Sequence, residues 1–193
     1  YQAWNPDSSN RNVQVQQSTD TGVTWSNVSG LTDGMLSATN SGSAAGSLLW
    51  NNNKLYAVNI NVSKSRTWDA VNGWSSEAST PLNGYYNNFK LGAVTSNNNY
   101  VHLVGAVGSS NTGHTYFNGT TWSSQAQVLP YTGYSSMSGR LITAGENLWY
   151  IRCDGNAESA GNVVYKKCTY SAGPTYTWDA SWTAATSDGI NSG

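Results

Sequence analysis

Short stretches in which apolar and polar residues alternate recur along the chain, each closed by Asn, Gly or Ser. Three begin alike, with an asparagine and then an alternating run: Asn53-Lys-Leu-Tyr-Ala-Val, Asn99-Tyr-Val-His-Leu-Val and Asn147-Leu-Trp-Tyr-Ile. Aligning Leu55, Val101 and Leu148 spaces them by 46 and 47 residues. A tryptophan set between Ser, Thr or Gly also recurs, at Trp25, Trp74, Trp122 and Trp182, with intervals of 49, 48 and 60 residues. Two independent markers thus agree on a unit of nearly fifty residues. Period-2 alternation predicts half-buried strands, and no helical periodicity of comparable length competes with it.

Within one unit the pattern predicts four strands. In the unit ending at Trp122, residues 90–95 are an apolar run, 100–107 alternate, 114–117 follow a Ser/Gly/Asn turn, and 120–123 close. Asn118-Gly119 between two β-rich runs is a strong hairpin signal, because both residues tolerate positive φ. Four antiparallel strands repeated at this period predict an all-β fold, a β-propeller of about four four-stranded blades. The blades fall at approximately 1–30, 45–80, 90–128 and 139–186, with no second domain. The first unit begins at its second strand, residues 1–4, and eleven residues follow Trp182. An innermost strand for the first blade is visible at neither end. The expectation is an incomplete ring, part of a larger propeller or completed by a partner, with a closed four-bladed ring as the alternative. Open strand edges would favour self-association.

Composition narrows the partners. Of 193 residues only 10% are charged, with net charge −1, while 12% are aromatic, including nine Trp and twelve Tyr. Disordered chains lack such aromatic content. The absence of a basic cluster argues against nucleic acid, and no apolar run reaches the roughly 18 residues of a membrane span. Cys153 ends one predicted strand and Cys168 lies on the next, so a disulfide across that hairpin is expected. Asn27, Asn61 and Asn118 each open an N-x-[ST] acceptor for glycosylation. The chain starts at Tyr1 with no signal segment before it, so either a leader was removed or this is a piece of something longer. The cysteines and acceptors together predict a secreted or cell-surface protein.

The segment Ser18-Thr-Asp20-Thr-Gly22-Val-Thr24-Trp25 matches S-x-D-x-G-x-T-W at every fixed position. Asp20 can accept backbone N–H bonds across a tight turn, Gly22 supplies a left-handed position, and Trp25 can pack between blades. The sequence therefore resembles the Asp-box (BNR repeat) propellers of the sialidase-like superfamily. These include sialidases, other glycosidases and non-enzymatic binding proteins. Other units keep fragments of the box: Thr67-Trp68-Asp69, Phe117-Asn118-Gly119 and Trp178-Asp179. In that family the hairpin lies away from the active site. The resemblance thus implies a structural role for Ser18, Asp20, Gly22, Thr24 and Trp25.

The same resemblance places the functional face in the loops 5–11, 61–66, 109–114 and 154–161 and in the connections 27–46, 77–89 and 125–140. From these come the ligand-binding candidates Arg11, Arg66, Tyr85, Tyr86, His114, Tyr131, Tyr134 and Arg140. Such a mixture suits sugars, whose C–H faces stack on aromatic rings and whose hydroxyls seek directional partners. A sialidase would need an arginine cluster for the substrate carboxylate, a Tyr/Glu pair and an acidic Asp. Arg11, Arg66 and Arg140 could supply the cluster. No catalytic set assembles from sequence, although Asp7, Asp33, Glu77, Asp154 and Glu158 could share one face. Two Cys and two His without ligand spacing predict no metal, and no cofactor is expected. The expected function is extracellular, lectin-like glycan binding, with part of a sialidase-like glycoside hydrolase and a structural or adhesive surface protein as alternatives. The expected partner is a glycan or glycoconjugate.

Overall fold

The computed structural model describes residues 2–4, 14–28, 46–59, 64–82, 93–107, 111–124, 126–130, 139–154, 162–172 and 175–185. All regular structure among them is antiparallel β-sheet, in four successive sheets. Blade 1 consists of β1 (Gln2–Trp4), β2 (Gln14–Gln17) and β3 (Ser26–Asn27). Blade 2 holds β4 (Gly46–Asn51), β5 (Lys54–Asn59), β6 (Lys64–Asp69), β7 (Gly73–Trp74) and β8 (Ala78–Ser79). Here β7 and β8 both pair with β6 and act as one interrupted outer strand. Blade 3 runs β9 (Ala93–Asn97), β10 (Tyr100–Val107), β11 (Asn111–Phe117) and β12 (Ala126–Pro130). Blade 4 runs β13 (Gly139–Ala144), β14 (Asn147–Asp154), β15 (Asn162–Ser171), β16 (Thr175–Trp178) and β17 (Thr183–Ala184).

The first strands of the four sheets, β1, β4, β9 and β13, lie side by side in that order, so the sheets radiate from a common centre as propeller blades do. In blades 2 to 4 the innermost strand is β4, β9 or β13. Blade 1 has none among the described residues: β1 registers with β2 as β5 registers with β6, in the second position. This is the phase expected from the sequence.

Local chemistry sets the inner hairpins. The β4–β5 and β9–β10 turns are two residues long, Asn52-Asn53 and Asn98-Asn99, all four with positive φ between 48° and 65°. That is the turn whose twist matches antiparallel strands, and asparagine adopts it at low cost. These tips also join neighbouring blades. Asn52 Nδ2 donates to Asn99 Oδ1 at 3.2 Å, and Asn97 Nδ2 donates to the Glu146 carbonyl at 2.7 Å.

The hydrophobic core is divided among the blade interfaces. Val15 and Val28 of blade 1 meet Leu55 and Ala57 of blade 2, with Leu48, Trp68 and Trp74 packed against them. Val58 and Leu82 meet Leu103 of blade 3, against Trp122. Val104 meets Leu141, Leu148, Tyr150 and Cys168 of blade 4, with Tyr176, Trp178 and Trp182 around them. Each such side chain taken out of water contributes roughly 1.5–3 kcal/mol, so the interfaces hold the blades together.

Register corrects one equivalence. Trp74 pairs with Trp68 and Trp122 bridges to Phe117; in blade 4 the corresponding Cys168 pairs with Trp178, not Trp182. The residue after each tryptophan then behaves alike. Ser75 Oγ accepts from Thr67 N–H, Ser123 Oγ from Tyr116 N–H, and Asp179 Oδ2 from Lys167 N–H, at 3.0 Å, 3.0 Å and 3.3 Å. Trp182 sits instead under the Arg152 guanidinium, 4.4 Å from the ring centre, beside Tyr150.

The expected disulfide is likewise overturned. Cys153 registers with Val163 and Cys168 with Leu148, five positions apart along the same strand pair. At about 3.3 Å per residue that separation far exceeds the ~7 Å Cα limit of a disulfide. Cys168 is a free, fully buried thiol.

Candidate functional site

A cleft of about 240 Å3 opens between blades 2 and 3. Strand alternation determines which side chains face it. Tyr56 and Thr67 are cross-strand partners on the face of blade 2 turned to blade 3, as are Val58 and Ser65. Opposite them, Phe117 and Trp122 come from the third-to-fourth strand hairpin of blade 3, joined at the rim by Thr120. The aromatic wall is continuous: Tyr56 meets Phe117 edge-on at 6.1 Å between ring centroids, and Phe117 meets Trp122 at 5.3 Å. Trp122 Nε1 donates to Ser65 Oγ at 3.2 Å, tying the two blades across the cleft. Ser75, Ser76 and Ala78 complete the blade 2 side. Burial raises the Tyr56 phenol above its ordinary range, so it stays a neutral donor and acceptor. An arrangement of flat apolar rings beside hydroxyls can hold a small polyol ring, by stacking on one side and hydrogen bonding on the other.

The hairpins joining third to fourth strands form a second recurring feature. In blade 1, Asp20 Oδ1 accepts from Thr24 N–H at 2.8 Å and Oδ2 from Thr24 Oγ1–H at 2.6 Å, while Ser18 Oγ accepts from Gly22 N–H at 2.7 Å. Thr21 and Gly22 take φ of 59° and 92°, and Trp25 Nε1 donates back to the Gly22 carbonyl. The Thr24 hydroxyl, then its backbone N–H and the Ser18 hydroxyl, hold the Asp20 carboxyl at about 2. Asp69 takes the N–H groups of Val71 and Asn72, and Asn118 those of Thr120 and Thr121. Each is a polar cap on a tight turn, as the sequence suggested for Asp20. Trp25 alone of the four equivalent tryptophans is strongly exposed, at 39%.

A third cluster is buried between blades 3 and 4. His102 Nδ1 and His114 Nε2 lie 3.1 Å apart with their rings stacked, enclosed by Tyr100, Tyr116, Tyr176 and Trp178. Their exposures are 0% and 2%. The sequence placed His114 in a ligand-accessible loop; it belongs to β11 and is closed off from solvent. The strand begins earlier than expected because β11 pairs with β10 without a break back to Asn111, Gly113 lying opposite Gly105.

The other expected ligand-binding residues do not converge. Arg66 pairs with Ala57, whose side chain packs against blade 1, so the Arg66 side chain is on the face of blade 2 opposite the cleft. Arg66 still borders the cleft, and its Nε is buried without a hydrogen-bond partner. Arg140 is exposed on β13, two blades away. Arg11, Tyr85, Tyr86, Tyr131 and Tyr134 lie outside the described residues, as does Asn61. Asn27 and Asn118 are exposed, with Asn27 Oδ1 accepting from Gln16 and Asn118 Oδ1 engaged in its turn. Among the described residues no group of three or more His, Cys, Asp or Glu could hold a metal, and no helix is long and apolar enough to cross a membrane. The aromatic cleft went unnoticed in the sequence because its walls come from two different units, and only sheet pairing shows which faces meet.

No family model matches the sequence, and no curated protein does. Among solved structures, one described as "Bacteroides ovatus Xyloglucan PUL GH43B" is similar over 88% of this chain at 12% identity and a TM-score of 0.49. The chain spans about a third of that structure's length, 36%. A likeness at that level says nothing about substrate.

Proposed function

We propose that this chain is a carbohydrate-binding propeller that seats a sugar ring in the cleft between blades 2 and 3. The observation that carries the reading is the cluster of rings from Tyr56, Phe117 and Trp122 lining the cleft beside the hydroxyls of Ser65 and Thr67. The cleft is below the roughly 300–1,000 Å3 of sites that engulf drug-sized ligands. It fits a single ring at the end or side of a glycan, with the rest in solvent. Binding is favoured over hydrolysis because no described side chain lining the cleft is a carboxylate, whereas glycoside hydrolysis calls for two. The reading also takes the protein to be extracellular. Its support is the exposed acceptor asparagines Asn27 and Asn118, since the disulfide no longer contributes.

Calorimetric titration with a panel of methyl glycosides tests this. Wild-type protein binds at least one sugar, and Trp122→Ala abolishes that binding. Thr120→Trp, which fills the mouth from an exposed turn and leaves the core intact, abolishes it as well. Unchanged affinity in both variants overturns the assignment. Release of reducing sugar from a glycoside would replace binding with a glycosidase reading.

A further inference from the structure

Building on the binding reading, we infer that the cleft selects an uncharged pyranose and rejects the uronate or sialate form. Arg66 apart, the residues on its walls carry neutral side chains. Tyr56, Ser65 and Thr67 come from blade 2, and Phe117, Thr120 and Trp122 from blade 3. The guanidinium of Arg66 belongs to the opposite face of β6. The other charged side chains of β6 are engaged elsewhere: Lys64 lies 3.5 Å from Glu77 and donates to Ser79 Oγ, and Asp69 lies 3.9 Å from Lys54 and accepts from the N–H groups of Val71 and Asn72.

A carboxylate entering such a site loses its hydration and meets no cation, a loss far larger than one hydrogen bond to a hydroxyl returns. A sugar hydroxyl faces no such loss. Ser65 Oγ already accepts from Trp122 Nε1–H and keeps its own O–H to donate, which suits a hydroxyl or ring oxygen. Ser75 Oγ, by contrast, accepts from Thr67 N–H and donates to the Ser76 carbonyl, so it is committed within blade 2. Recognition therefore centres on Ser65 beside the three rings.

The test compares pairs that differ only at C6: methyl glucoside against methyl glucuronide, and methyl galactoside against methyl galacturonide, with a sialoside added. The neutral member of the recognised pair binds at least tenfold more tightly, and its affinity is insensitive to salt. Thr120→Lys, adding a cation at the rim, narrows the gap at least threefold. An acidic sugar that binds wild-type protein as tightly as its neutral counterpart overturns the selectivity and leaves carbohydrate binding standing. Failure of every sugar to bind removes the binding reading and the selectivity together.

Discussion

His102 Nδ1 faces His114 Nε2 across 3.1 Å, their rings stacked at an interplanar angle of 11°, inside the interface of blades 3 and 4. One nitrogen must donate and the other accept, so both rings cannot be protonated without losing the contact, and burial favours the neutral pair. Burial lowers His102 to about 4; burial, then the neighbouring His102, lowers His114 to about 3. Both folded values lie below the 6.5 of a free imidazole, so the unfolded chain takes up protons first. The histidine contribution is complete above pH 6.5 and is lost as pH falls from there towards 4 and 3. The slope approaches about 1.4 kcal/mol per pH unit for each histidine. Urea midpoints measured from pH 7.5 to pH 5 fall accordingly, and the double replacement His102→Gln/His114→Gln flattens that dependence. A wild-type midpoint that stays level from pH 7.5 to pH 5 contradicts the buried neutral pair.

Asp20 caps its turn from an exposed position, so its effect is local. Asp20→Ala leaves the Thr24 N–H without its acceptor, and exchange of that amide speeds up about tenfold. Asp20→Asn retains an oxygen acceptor and changes less. The carboxyl titrates near 2, so the cap persists above its ordinary 3.8 and fails only as pH drops through 2. Hydrogen exchange by NMR reads both effects, and an unchanged Thr24 amide in Asp20→Ala contradicts them.

Gly139 is fixed by what lies above it. A Cβ there would overlap the ring of Tyr150, which is buried at the start of the β13–β14 pairing and has its phenol pushed up to about 12 by desolvation. Gly139→Ala destabilises by about 1–3 kcal/mol through overpacking. Thermal unfolding shows the loss, and Gly139→Ala/Tyr150→Phe does not restore it, because the clash is with the ring as well as the hydroxyl. A Gly139→Ala midpoint equal to wild type contradicts the close approach.

Cys168 stays reduced and inert. It is fully buried, and desolvation, with Asp179 nearby, raises its thiol to about 12, so almost no thiolate exists at neutral pH. Iodoacetamide labels it only after denaturation. Peptide mapping of unreduced protein finds no Cys153–Cys168 link; finding one contradicts the register of β14 and β15.

The repeat was legible in the sequence because its turns carry specific chemistry. Asn52-Asn53 and Asn98-Asn99 announce hairpins by tolerating positive φ, and the alternation after them sets which face is buried. Pairing between strands was less legible. Trp178 and Trp182 lie four residues apart in similar settings, and only the longer β15–β16 hairpin decides which of them matches Trp74 and Trp122. Cysteine count and strand assignment suggested a disulfide, but register along the ladder forbids it. His114 was misplaced because Gly113 and the preceding polar residues read as loop, while unbroken pairing with Gly105–Val107 of β10 continues the strand through them. The cleft depends on which faces of two blades meet, and no local pattern states that.

A crystal structure of the protein soaked with the neutral glycoside that binds best tests the central claim most directly. The account predicts a sugar ring lying on Phe117 and Trp122 with a hydroxyl or ring oxygen at Ser65 Oγ. Sugar density over other blades, with the cleft between Tyr56 and Trp122 empty, would contradict it.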